Sequence, residues 1–138
     1  WNVVFTLTFP DIQVAEGFME HLNLDNSYLL FLFGGIGILA PISEEIVYRG
    51  VVQPFLGRFF TSPLPPIMLA GYVWAVSHVG MIDPPGLKEI QIMGLALIFG
   101  YARNTFGLGS AILLHLVNNS LVLILQWVLL LSGIEAPK

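Results

Sequence analysis

The chain contains no cysteine, which excludes disulfides, thiol nucleophiles and thiolate-bound metals. Charge is almost as scarce. Only 10% of the 138 residues are Asp, Glu, Lys or Arg, against about 25% in an ordinary soluble domain. A soluble fold of this size would lack the charged side chains to cover its surface. The hydrophobic content of 56% and mean hydropathy of +0.82 make the bilayer the expected solvent. Five Lys and Arg against nine Asp and Glu leave a net charge of -4, so no basic patch is available for nucleic acid. The N-terminal stretch has no basic n-region ahead of a short apolar run and cleavage site, so it does not read as a secretory signal. No internal repeat and no HExxH helix is present.

What the sequence has instead is long apolar runs. "LLFLFGGIGILAPI", residues 29–42, carries no charge at all. Four segments of this kind predict spanning helices over residues 28–53, 66–82, 88–104 and 108–131. Pro41 should break a backbone bond and kink the first, and Gln53, Pro54 and Arg58 should end it. Residues 1–27 differ. "DIQVAEGFMEHL" puts Ile12, Ala15, Phe18, Met19 and Leu22 on one face, as an amphipathic interfacial helix or linker would, and His21 reads as a surface residue. The expected organisation is this segment (1–27) followed by a membrane core (28–138). The fold class is all-α: a multi-pass transmembrane bundle of about four spanning helices. Gly34, Gly35, Gly37, Gly94 and Gly100 are candidates for close helix approach. Arg58 and Arg103 fall at one end of the spans and Lys88 and Lys138 at the other; the positive-inside rule assigns the arginine end to the cytoplasm.

Ionisable residues interrupt three of the apolar segments. Each costs roughly 2.5–3.5 kcal/mol or more at membrane depth and persists where it does chemistry or lines a polar cavity. Glu45 and Arg49 are four apart on one helix and should pair, leaving the adjacent Glu44 to face elsewhere. Trp74 precedes His78 by four, and His115 precedes Asn119 by four. Counting about 1.5 Å per residue from the arginine end puts Glu44 roughly 13 Å, His78 roughly 18 Å and His115 roughly 10 Å deep, so a shared site is geometrically open to them. Amide hydrolysis needs a base to deprotonate water and donors aimed at the oxyanion, and these residue types supply both. A plain structural reading stands beside this one. It makes Glu45–Arg49 an ion pair at a helix boundary, His78 an interfacial histidine, and His115 with Asn118 and Asn119 interhelical packing contacts. Trp74, Trp127 and Tyr101 read first as packing or membrane-belt residues.

The three motifs, in order, resemble those of the type II CAAX prenyl endopeptidases, or Abi/CPBP intramembrane proteases. "EEIVYRG" (residues 44–50) is similar to the family's EExxxR, "WAVSH" (74–78) to FxxxH with Trp in place of Phe, and "HLVNN" (115–119) to HxxxN. The likeness extends over residues 29–131. It implies an intramembrane endopeptidase in which Glu44 activates water, His78 holds that water, and His115 with Asn119 stabilises the oxyanion. Glu45, Arg49 and Trp74 would support the site. It further implies a multi-pass membrane protein (in the cell membrane if bacterial), no cofactor, and a peptide or protein substrate, prenylated or not.

Three alternatives compete. Glu44, His78 and His115 supply two nitrogens and a carboxylate oxygen, a set that suits a zinc ion with one open position; the Asn one turn from His115 favours oxyanion binding instead. A proton-coupled transporter would show internal symmetry between halves, and none is visible. A non-catalytic membrane scaffold or immunity protein would be expected to have lost a catalytic residue, yet all four positions are filled.

Overall fold

The computed structural model describes residues 32–78 and 87–131. The expected interfacial segment 1–27 lies outside the described residues, as do the start of the first predicted span and the "DPPG" turn. All the regular structure described is helical. We label the helices α1 (residues 32–57), α2 (Leu64–Val76), α3 (Leu87–Phe106) and α4 (Leu108–Leu131).

Helix α1 is a composite rod. Leu32–Leu39 and Ile46–Val52 form wide turns with bonds reaching five residues back, while Ala40–Glu45 and Gln53–Gly57 are ordinary α-helix. Each wide stretch runs into a proline. Gln53 N–H bonds the Tyr48 carbonyl, and the next bond of that register would join residue 54 to the carbonyl of Arg49. Residue 54 is proline and has no N–H. Arg103 of α3 fills the gap, its Nε donating to Arg49 O at 2.9 Å. The same arithmetic at the first stretch pairs Pro41 with the carbonyl of Ile36, and there Asn119 Nδ2 of α4 donates at 3.0 Å. Buried carbonyls seldom go unpaired, and here two neighbouring helices supply what the prolines withhold. The rod continues through Pro41 and ends at Gly57 rather than at Gln53, whose side chain is buried and donates to Gly100 O at 3.1 Å.

Helix α2 begins two residues earlier than expected, because Pro65 and Pro66 sit in a first turn where a missing N–H is harmless. It ends at Val76, short of the predicted residue 82. Ser77 Oγ then donates to the Trp74 carbonyl at 2.7 Å, and His78 N–H turns back to donate to Ala75 O. His78 therefore sits in the turn just beyond the helix. Helices α3 and α4 are joined by Gly107, whose φ of +97° suits glycine and whose N–H caps the Arg103 carbonyl.

Small residues allow the helices to approach. A Cβ on Gly71 would fall 2.9 Å from Ala96 Cβ, and one on Gly100 would fall 2.7 Å from Ile67 Cγ2. Gly100 thus behaves as expected and Gly71 adds to it, whereas Gly34, Gly35 and Gly94 face open space. The core is compact around Trp74, Ala75, Ile92, Ala96, Phe99 and Ala111. The largest fully buried side chains include Arg49 and Glu45, while Leu39, Val51, Phe55, Tyr72, Ile98 and Leu113 lie outside. Charge is inside and apolar surface outside, the reverse of a soluble domain. By length and composition, one helix among the described residues can cross a membrane, through Leu108–Leu125; Leu64–Val76 is apolar but shorter.

Removing the Arg103 donor should lower stability by about 1 kcal/mol or more. In a Pro54→Ala background, where residue 54 regains its N–H, Arg103→Ala should cost less. A double-mutant cycle on thermal unfolding in detergent measures the difference, and equal costs in both backgrounds would contradict the account of the orphaned carbonyl.

Candidate active site

Glu44 and Glu45 are neighbours on α1 and point roughly 100° apart, into different surroundings. Glu45 is fully buried. Its Oε1 lies 3.1 Å from Arg49 Nη1 and 2.9 Å from His115 Nδ1. The Arg49 contact is a close charge pair, but it lies off the line that a hydrogen bond requires, so Nη1 has no hydrogen-bond partner. Arg49 Nη2 donates to Ala96 O on α3 at 3.4 Å. The guanidinium also lies 4.5 Å from the centre of the Trp74 ring and 5.8 Å from that of Phe99, a favourable placement for a buried cation. The expected pairing of Glu45 with Arg49 is present, and His115 completes a three-residue cluster across two helices.

Glu44 faces about a quarter-turn away, its side chain 27% exposed where that of Glu45 is 0%. Its Oε2 accepts the indole N–H of Trp74 at 2.5 Å and lies 3.9 Å from His78 Nε2. The imidazole of His78 is fixed by its other nitrogen, which is 2.8 Å from the Trp74 carbonyl. A carbonyl only accepts, so the network assigns the proton to Nδ1 and leaves Nε2 with a lone pair facing Glu44. Two acceptors thus face one another across 3.9 Å at a partly open surface.

The two half-sites meet at Trp74. Its ring stands edge-on to His78, with centroids 5.4 Å apart, and edge-on to His115, 5.2 Å apart. Phe99 stacks on His115 at 4.9 Å, with 24° between the planes. His115 is buried, and its Nδ1 bond to the Glu45 carboxylate makes Nδ1 the donor and leaves Nε2 uncommitted. Asn119 lies further along α4, donating to Ile36 O and accepting from Asn118 Nδ2 at 3.2 Å. The structure therefore brings Glu44, His78, Trp74, Arg49, Glu45 and His115 into one connected cluster, while the contacts of Asn119, one turn beyond His115, are to Ile36 O and Asn118. His115 engages Glu45, not Glu44.

Among the described residues no group of three or more His, Cys, Asp or Glu side chains is placed to hold a metal ion; His115 turns its Nδ1 to Glu45, not to Glu44 or His78.

Sequence spacing identified the polar pairs and read Trp74 first as packing, the family resemblance made Trp74 a supporting residue, and neither gave Phe99 a place in the site. Phe99 had no sequence signal beyond being apolar. The indole N–H of Trp74, one turn from His78, was the signal for its polar contact.

Removing the Arg49 guanidinium strands a buried carboxylate. Arg49→Met should destabilise the protein by about 3–5 kcal/mol, and adding Glu45→Gln should recover part of that loss. Thermal unfolding of the single and double variants in detergent checks both, and an Arg49→Met protein as stable as the wild type would show that the pair carries no structural weight.

No curated protein and no solved structure matches the chain. The family description "type II CAAX prenyl endopeptidase Rce1-like" matches residues 26–121, more than half of the chain and all three motifs. The family is one of membrane-embedded proteases, and the chain belongs to it.

Proposed function

We propose that this protein is an intramembrane endopeptidase of the CAAX type, built as a four-span bundle on residues 28–138, and that Glu44 is its general base. The observation that carries the reading is the Glu44 carboxylate facing His78 Nε2 at 3.9 Å at a partly open surface. Two acceptors in that relation suit a substrate water that donates one hydrogen to each. Glu44 takes a proton from this water as its oxygen attacks the carbonyl carbon of the scissile bond. The C=O oxygen becomes an oxyanion in the tetrahedral intermediate. His115, oriented through its Nδ1 bond to the Glu45 carboxylate, stabilises it together with the second amide hydrogen of Asn119. Collapse breaks the C–N bond, and the proton held by Glu44 passes to the leaving amine. The reaction needs no redox partner and no cofactor.

Exposure separates the two carboxylates. Glu44 is accessible and anchored, which suits a group that meets substrate; Glu45 is sealed and already paired, which suits one that orients Arg49 and His115. The apolar exterior and the membrane-embedded family support a bilayer location for the whole bundle. Family membership supports a peptide or protein substrate presented at the membrane: a prenylated C-terminal CAAX sequence, or an unprenylated membrane or secreted peptide.

Purified protein in proteoliposomes should cleave a quenched-fluorescent CAAX peptide, tested in farnesylated and unfarnesylated forms. Glu44→Ala, His78→Ala and His115→Ala should each lower kcat by a hundredfold or more, on the scale of losing a base or an oxyanion donor. Turnover unchanged in all three would remove the proposal. Exhaustive chelation should leave the wild-type rate intact; loss of activity restored by added zinc would replace the glutamate-base mechanism with a metal-dependent one.

A further inference from the structure

The motif position that is usually Phe in this family is Trp74 in this chain, and the difference is one N–H. That N–H donates to Glu44 Oε2, while the main-chain carbonyl of the same residue accepts a hydrogen bond from His78 Nδ1. One residue therefore grips both partners of the site, the carboxylate through its side chain and the imidazole through its backbone. We propose that Trp74 is a positioning residue that holds Glu44 and His78 in the relation needed to activate water; this rests on Glu44 being the base.

Rigidity is the basis of the argument. Glu44 is a flexible side chain at a partly open surface, and alone it would sample several rotamers. The indole that anchors it cannot do likewise. Trp74 is 3% exposed, with the Arg49 guanidinium over its face and the rings of His78, His115 and Phe99 around it. A ring so confined keeps its N–H aimed in one direction, and a charged acceptor in that direction is held by a strong, directional bond. Catalytic groups need such support to stay within a fraction of an ångström of the productive geometry. The Arg49–Trp74 stacking further links the buried Glu45 cluster to the exposed Glu44, so that both depend on one aromatic plane.

Phe fills much of the same space without a donor, so Trp74→Phe separates anchoring from packing. On the farnesylated CAAX peptide, kcat should fall roughly ten- to a hundredfold, as expected for one hydrogen bond to a charged group. KM should stay within about twofold, because ground-state binding is untouched. An independent readout uses full-length protein labelled with 15N-tryptophan in micelles. One of the three indole N–H resonances should move upfield in Glu44→Ala and be missing from Trp74→Phe. Should Trp74→Phe fail to fold, the comparison of wild type with Glu44→Ala still decides the contact. No indole resonance responding to Glu44→Ala, or a folded Trp74→Phe with wild-type kcat, overturns the inference. Full activity of Glu44→Ala sinks the parent mechanism instead, so the two failures are told apart.

Discussion

The buried pair of Glu45 and Arg49 is the constraint around which the other described parts are arranged. Neither charge reaches the surface, and isolated charges in a low-dielectric interior are costly. Each must therefore be answered from within. The carboxylate is answered by Arg49 and His115 from two helices. The guanidinium is answered by the Ala96 carbonyl and by the faces of Trp74 and Phe99. Because those partners come from α2, α3 and α4, satisfying one ion pair fixes the relative placement of the whole bundle.

Two carboxylates adjacent in sequence have been divided by their surroundings. One is committed to structure, held by a cation and an imidazole. The other stands at a partly open surface, touching an indole and facing a histidine lone pair. Helical geometry alone produces the division: a step of one residue turns the side chain by about 100°. A doubled glutamate thus lets one stretch of chain present a sealed carboxylate and a partly open one.

Much of this was legible in the sequence. The order of helices, the i,i+4 pairing of Glu45 with Arg49 and the divergence of Glu44 follow from periodicity and appear as expected. The spacing of Trp74 and His78 also survives, although His78 lies past the helix end. What periodicity could not give was contact between helices. Nothing local shows that His115 turns to Glu45, that Gln53 faces inward to Gly100, or that Arg103 points into the bundle to a backbone carbonyl. Those depend on the rotation of each rod about its axis, which is set by packing of small residues such as Gly71 against Ala96. Pro41 was read as a kink because proline removes a backbone bond; the helix runs through it, directly after a stretch of wide turns.

Those wide turns also straighten α1's inward seam. Pro41, Glu45, Arg49 and Gln53 recur every fourth residue, and all four are buried. In a regular α-helix such a series would wind around the rod by about 40° per step, carrying its last member roughly a third of the circumference away from its first. Turns with more residues wind it back. Pro41, Glu45, Arg49 and Gln53 can then keep a nearly common azimuth towards the neighbouring helices over three steps, a path that pure α-helix would have carried off that face.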